Sequence, residues 1–197
     1  MAVNSCQPTT RRRNAATTRQ SILQAAHRRF LEESYDTVGL REIASDAGVD
    51  VALVSRYFGG KEQLFKEVLR EGKSALPSNL TPSELPAYLA QLATEQHFDA
   101  ETNCYESVLM ILRSASSPQA SAIVRNALKD DILGPLSSVL GDGEEASTAA
   151  SLATAILMGT AILRVVAPVQ ALCPCDVQLR QRLEALFAAA LRQPTLA

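Results

Sequence analysis

No tryptophan occurs in this 197-residue chain, and aromatic residues make up only 5% of it. Aromatic and β-branched side chains pack pleated sheets best, so their scarcity beside abundant Ala and Leu argues for helices over strands. Cysteine is also scarce. Cys6, Cys104, Cys173 and Cys175 are the whole set, and Cys173-Pro174-Cys175 is neither a redox C-x-x-C nor a paired zinc spacing. These read as small buried or loop thiols of a reducing compartment. His27 and His97 have no partner at metal-ligand spacing, and His27, beside Arg28 and Arg29, reads as part of a solvated helix face. No Walker loop, G-x-S-x-G elbow, H-E-x-x-H pair or set of catalytic carboxylates is present, so the reading is not an enzyme and no cofactor is implied. The polar, basic start "SCQPTTRRRNAATTRQ" lacks the apolar run of a signal peptide. The longest apolar stretch, "SLATAILMGTAILRVVAPV", carries Arg164 and ends near Pro168; it is short for a membrane span and reads as a core or interface helix. A cytoplasmic location without membrane contact is expected.

Hydrophobic residues form 47% of the chain and charged residues 20%, a balance that supports a folded core. The net charge of −2 is unevenly spread: residues 1–73 hold 12 Lys+Arg against 9 Asp+Glu, and residues 74–197 hold 7 against 12. A basic front on an acidic body hints at a polyanion-binding head.

Periodicity predicts an all-α protein of about nine helices. Residues 1–17 read as a flexible basic arm, and Arg11, Arg12, Arg13 and, just beyond it, Arg19 could meet phosphate or the minor groove. A first helix starts at Thr18, capped by Thr17 or Thr18, with Ile22, Leu23, Ala26, Phe30 and Leu31 on one face. A second runs from Leu40 to Asp46 and ends at Gly48; Asp50 caps a third over 51–58; Gly59-Gly60 breaks it, and Lys61 opens a fourth. After Lys73 comes a Pro/Ser-rich joint, then helical segments near 82–97, 101–115, 118–140, 144–167 and 176–192. The expected domains are therefore a head at 18–73 and a helical body at 74–197.

Helices two and three are each about two turns long and are joined by Gly48-Val49-Asp50, the arrangement of a helix-turn-helix. Ile43, Ala44, Val49, Val54 and Phe58 fall on the inner side. Val51, Ala52, Ser55 and Arg56 fall on the outer side, near the end of such a helix that meets base edges in the major groove. Arg56 suits guanine, and Val51 or Ala52 suits thymine methyl groups. Tyr57 and Lys61 lie toward the flank, where hydroxyl and ammonium groups suit phosphate oxygens.

The string "ILQAAHRRFLEESYDTVGLREIASDAGVDVALVSRYFGGKEQLFKEVL", Ile22 to Leu69, closely resembles the N-terminal domain of the tetracycline-repressor family of transcriptional regulators. The resemblance implies a homodimeric regulator, usually a repressor, with DNA contacts at Arg41, Val51, Ala52, Ser55, Arg56, Tyr57 and Lys61. Three positions depart from the family pattern: Asp50 and Gly39 stand where Ser or Thr caps are common, and Ser55 where Tyr is common.

The same resemblance implies that the last two long helices pair with those of a second copy. Small residues along "ASLATAILMGTAILRVV" would permit close approach, and Val177, Leu183, Leu186, Phe187 and Leu191 form an apolar stripe on the other. A cavity for a small-molecule effector is implied among the middle helices. The expected wall is "CYESVLMILRSA", with Tyr105, Leu109, Met110 and Leu112 apolar and Glu106 or Arg113 as polar anchors. The expected function is release from a palindromic double-stranded DNA operator when that effector binds. The rival is a helical small-molecule-binding or protein-interaction protein with a vestigial head.

Overall fold

The computed structural model describes residues 9–71, 76–94, 104–172 and 177–192. Within them every regular element is helical. α1 (Thr9–Glu32), α2 (Leu40–Asp46), α3 (Val51–Phe58) and α4 (Lys61–Arg70) form the N-terminal group. α1 corrects the expected start. No Gly or Pro interrupts 9–32, so the helix runs unbroken from Thr9, and Thr17 and Thr18 lie inside it instead of capping it.

α5 (Leu85–Thr94) and α6 (Cys104–Ser114) follow. Next, α7 (Pro118–Leu128) runs through a π-helical turn, Lys129–Leu133, into α8 (Gly134–Val139) as one continuous rod. Pro135 explains the widened turn. It lacks the N–H that an α-helix needs, and its ring would crowd the carbonyl one turn back. α9 (Glu144–Ala161) likewise passes into a π-turn at Ile162–Val166, shortly before Pro168, and α10 (Val177–Leu191) ends the described chain. The ten α-helical segments make nine continuous rods among the described residues, as the periodicity predicts. By length and composition alone Glu144–Arg164, with mean hydropathy 1.6, could cross a membrane, but its Ala149, Ala150 and Ala153 are buried against other helices.

Two apolar cores form. The first joins Ile22, Phe30, Tyr35, Val54, Phe58 and Phe65 of the N-terminal group to Met110, Ile123 and Ala127 of α6 and α7. Its centre is aromatic: Phe30 and Phe65 lie 4.7 Å apart between ring centroids, and Tyr35 and Phe65 5.1 Å. The second joins Leu85 and Leu89 of α5, Leu136 of α8, Ala150 of α9 and Phe187 of α10. The first core therefore reaches across the sequence boundary expected at 73/74.

Candidate nucleic-acid interface

The helix pair α2–α3 is shaped by its own backbone bonds. Gly48 adopts φ +66°, letting its N–H reach the Ser45 carbonyl at 3.1 Å while the Val49 N–H reaches Ala44 at 2.9 Å. These two bonds close the end of α2 as a Schellman motif and turn the chain sharply into α3. Asp50 then caps α3, its Oδ1 accepting from the Ala52 N–H at 2.7 Å. At the far end Gly59, with φ +77°, returns its N–H to the Ser55 carbonyl at 2.7 Å. Gly39 offers no side chain to cap α2; the Glu42 carboxylate reaches back and accepts from the Gly39 N–H at 2.8 Å.

Val54 and Phe58 are buried, so the opposite side of α3 faces out. There Val51, Ala52, Ser55 and Arg56 are exposed, with Val51 at 36%. Arg41 is exposed on the first turn of α2. Tyr57 is half-buried against the first core, and the Arg56 guanidinium lies over its ring at 5.3 Å. Lys61 departs from an outward-reaching role: its Nζ lies 4.5 Å from the centre of the Tyr35 ring and 3.5 Å from the Asp36 carbonyl. Burial lowers its ammonium pKa, opposed by the charges of Asp36 and Glu42. Arg29 braces the unit from α1, with its Nε 2.5 Å from Asp46 Oδ2 and a second bond to Oδ1 at 3.0 Å. That hydrogen bonding holds the Asp46 carboxyl below its ordinary value.

The residues expected to line an effector cavity are placed differently. Met110 is fully buried in the first core, on the helix that packs against α1. Glu106 pairs with His27 at 3.0 Å, so His27 is half-buried and partnered, not solvated. Arg113 donates to the Glu32 carbonyl at the end of α1, at 2.5 Å. Positions 106, 110 and 113 share one helical face, and that face is already packed on the N-terminal group. Leu109 is half-buried, and Leu112 is 40% exposed. The side chains of Tyr105 and Cys104 lie outside the described residues, as do His97, Cys6, Cys173 and Cys175 and the side chains of Arg11, Arg12 and Arg13.

Sequence reasoning missed Ser114 and Ser117. Both are buried, Ser114 accepting from the Tyr35 N–H at 3.2 Å and Ser117 donating to Asp36 Oδ1 at 2.8 Å. In the sequence, "RSASSP" reads only as a turn before a helix; nothing local tells where its hydroxyls point.

Residues 22–68 match the model of the bacterial regulatory proteins, tetR family, and residues 88–194 match that of a tetracyclin repressor-like C-terminal domain. The chain is 37% identical over 94 residues to the HTH-type transcriptional repressor Rv3405c of Mycobacterium tuberculosis, covering 46% of this chain and 50% of that protein. It is 33% identical over 118 residues to the HTH-type transcriptional regulator BetI of Rhizobium meliloti, 56% of each chain. The chain thus spans about half the length of the curated relatives it matches. In fold it is similar to NalD, the secondary repressor of the MexAB-OprM multidrug efflux pump in Pseudomonas aeruginosa, with TM-score 0.67, 20% identity, and 89% and 96% of the two chains covered. A TetR-family regulator from Streptomyces coelicolor superposes with TM-score 0.50 at 28% identity, over 95% of this chain and 99% of its own. With a family model matched across 88–194, more than half of the 197 residues, and a second across the helix-turn-helix, the chain belongs to the tetR family of bacterial regulatory proteins.

Proposed function

We propose that this chain is a cytoplasmic, homodimeric transcriptional repressor that reads a palindromic DNA operator through α3 and leaves it when a small-molecule effector binds. The observation that carries the reading is the two-sidedness of α3. Its Val54 and Phe58 are locked in the core, while Val51, Ala52, Ser55 and Arg56 stand exposed on a short, capped helix. Arg56 offers a guanidinium fork to guanine, and Val51 and Ala52 offer methyl contacts to thymine. Arg41, Ser55, Tyr57 and Lys61 supply charge or hydroxyls for phosphates on either flank.

One short helix reads few bases, so a two-fold pair on an inverted repeat is the economical arrangement. Leu152 and Leu163 of the α9 rod and Val177 and Leu186 of α10 are exposed apolar residues on the helices assigned to that pairing. The head comprises residues 18–73, extended by the helical 9–17, and the body 74–197. An effector among the body helices would act on the head through α6 and α7, which share its core.

Selection of binding sites from a random duplex pool by the purified full chain tests this. An enriched inverted repeat is expected, with Arg56→Ala weakening binding by about 1–3 kcal/mol. Failure to enrich any sequence would favour a helical binding protein with a vestigial head.

A further inference from the structure

Ser117 caps α7 by accepting from the Ala120 N–H at 3.2 Å, and its own proton goes across to Asp36 Oδ1 at 2.8 Å. The residue is 2% exposed, so both halves of its hydroxyl are used in a buried setting. Three residues earlier, the fully buried Ser114 takes the N–H of Tyr35 at 3.2 Å. Two hydroxyls from the α6–α7 junction therefore grip two adjacent residues of the α1–α2 loop. A hydroxyl buried without a partner costs more than an alanine, so such groups are informative about which surfaces stay together.

The gripped residues are the ones that hold Lys61. Its ammonium rests over the Tyr35 ring and beside the Asp36 carbonyl. There the amine is partly withdrawn from water and points to the Asp36 carbonyl, so its reach is set by where Tyr35 and Asp36 are held. The cap ties the proton's direction to the position of the first turn of α7. A shift of that turn would pull on Asp36 through the Ser117 hydroxyl.

We infer that Asp36 is a positioning residue that keeps the Lys61 ammonium against Tyr35, and that Ser117 holds Asp36 so that the start of α7 governs whether Lys61 reaches DNA. This rests on the DNA-binding function proposed for α3, and concerns how the body of the molecule is wired to one phosphate-binding group of the head.

The test uses the full chain with 13C-labelled lysine side chains, Lys61→Met assigning the Lys61 signal. In the DNA-free protein, Ser117→Ala is expected to move the Lys61 titration upward, back toward the ordinary lysine value, as the amine returns to water, because burial outweighs the opposing charges of Asp36 and Glu42. Ser117→Thr, which keeps both the cap and the donated proton, is expected to leave it in place. An unchanged titration in Ser117→Ala overturns the inference, whether or not an operator is ever found.

On a selected operator, Lys61→Met should flatten the dependence of log affinity on log salt by about 0.9 for each phosphate that the lysine neutralises. Ser117→Ala should steepen it, and that effect should vanish in the Lys61→Met background. A Ser117 effect that persists without Lys61 overturns the coupling. An absence of any operator binding would strike at the functional reading, leaving the titration to decide this one.

Discussion

Val49 donates its backbone N–H to the carbonyl of Ala44 at 2.9 Å, across a turn that only a left-handed residue at position 48 can make. That bond sets the angle between α2 and α3, and with it the direction in which Arg56 is presented.

Gly48→Ala and Gly59→Ala should each destabilise the fold by about 1 kcal/mol or somewhat more, because their φ values of +66° and +77° are strained for any residue with a Cβ. A Cβ would meet nothing within 4 Å at either place, so the effect is one of backbone conformation, not of packing. Gly60 is extended, at φ 162°, and also has open space around it. Gly60→Ala is therefore the control, and thermal unfolding of the three variants should separate it from the other two.

At position 50, cap and charge can be separated. Asp50→Ala should cost about 1 kcal/mol of stability through loss of the bond to the Ala52 N–H. Asp50→Ser keeps a capping oxygen and removes a negative charge beside the proposed DNA-reading face of α3. It should keep the unfolding temperature and tighten operator binding, most visibly at low salt. Equal affinities for Asp50→Ser and the parent at low salt would place this carboxylate away from the phosphates.

Asp46 gives the head a pH signature. Its carboxyl is held below the ordinary value of 3.8, chiefly by hydrogen bonds from Arg29. A depressed carboxylate contributes stability above its unfolded value and loses it as pH falls through the folded one. Asp46→Asn should thus unfold more easily than the parent at neutral pH. The two should converge as the pH drops below 3.8 toward the lowered value. A difference that stays constant through that window would show that the Arg29 contact acts by shape and not by charge.

The pairing of two copies is checked at Leu152 and Leu186, which are 50% and 49% exposed. The parent is expected to sediment as a dimer, and the double variant Leu152→Glu, Leu186→Glu as a monomer at the same concentration. Helix content should be unchanged, since neither side chain lies in a core. Operator affinity should fall with it, because a monomer contacts one half-site only.

Much of the head is legible in the sequence because its signals are local. The helix spans 40–46 and 51–58, the Gly48 turn and the Asp50 cap follow from residues no more than five positions apart. α6 behaves otherwise. The family resemblance implies a cavity wall there, yet Glu106, Met110 and Arg113 meet His27, the first core and the Glu32 carbonyl. An apolar face with charges at its edge looks the same whether a ligand or another helix covers it. The early start of α1 is hidden for a different reason: polar, basic residues suggest an arm, although they are adequate helix formers.

The sequence alone determined the all-helical class, the punctuation of α2 to α4 and the side of α3 that faces out. Those depend on backbone geometry, caps and periodicity within one or two turns. Only the tertiary structure decided that the first core runs from α1 into α7, that His27 finds Glu106, and that Ser117 reaches Asp36 across 81 positions of chain. Contacts at that separation are chosen by how whole helices pack, and no local residue pattern encodes the partner.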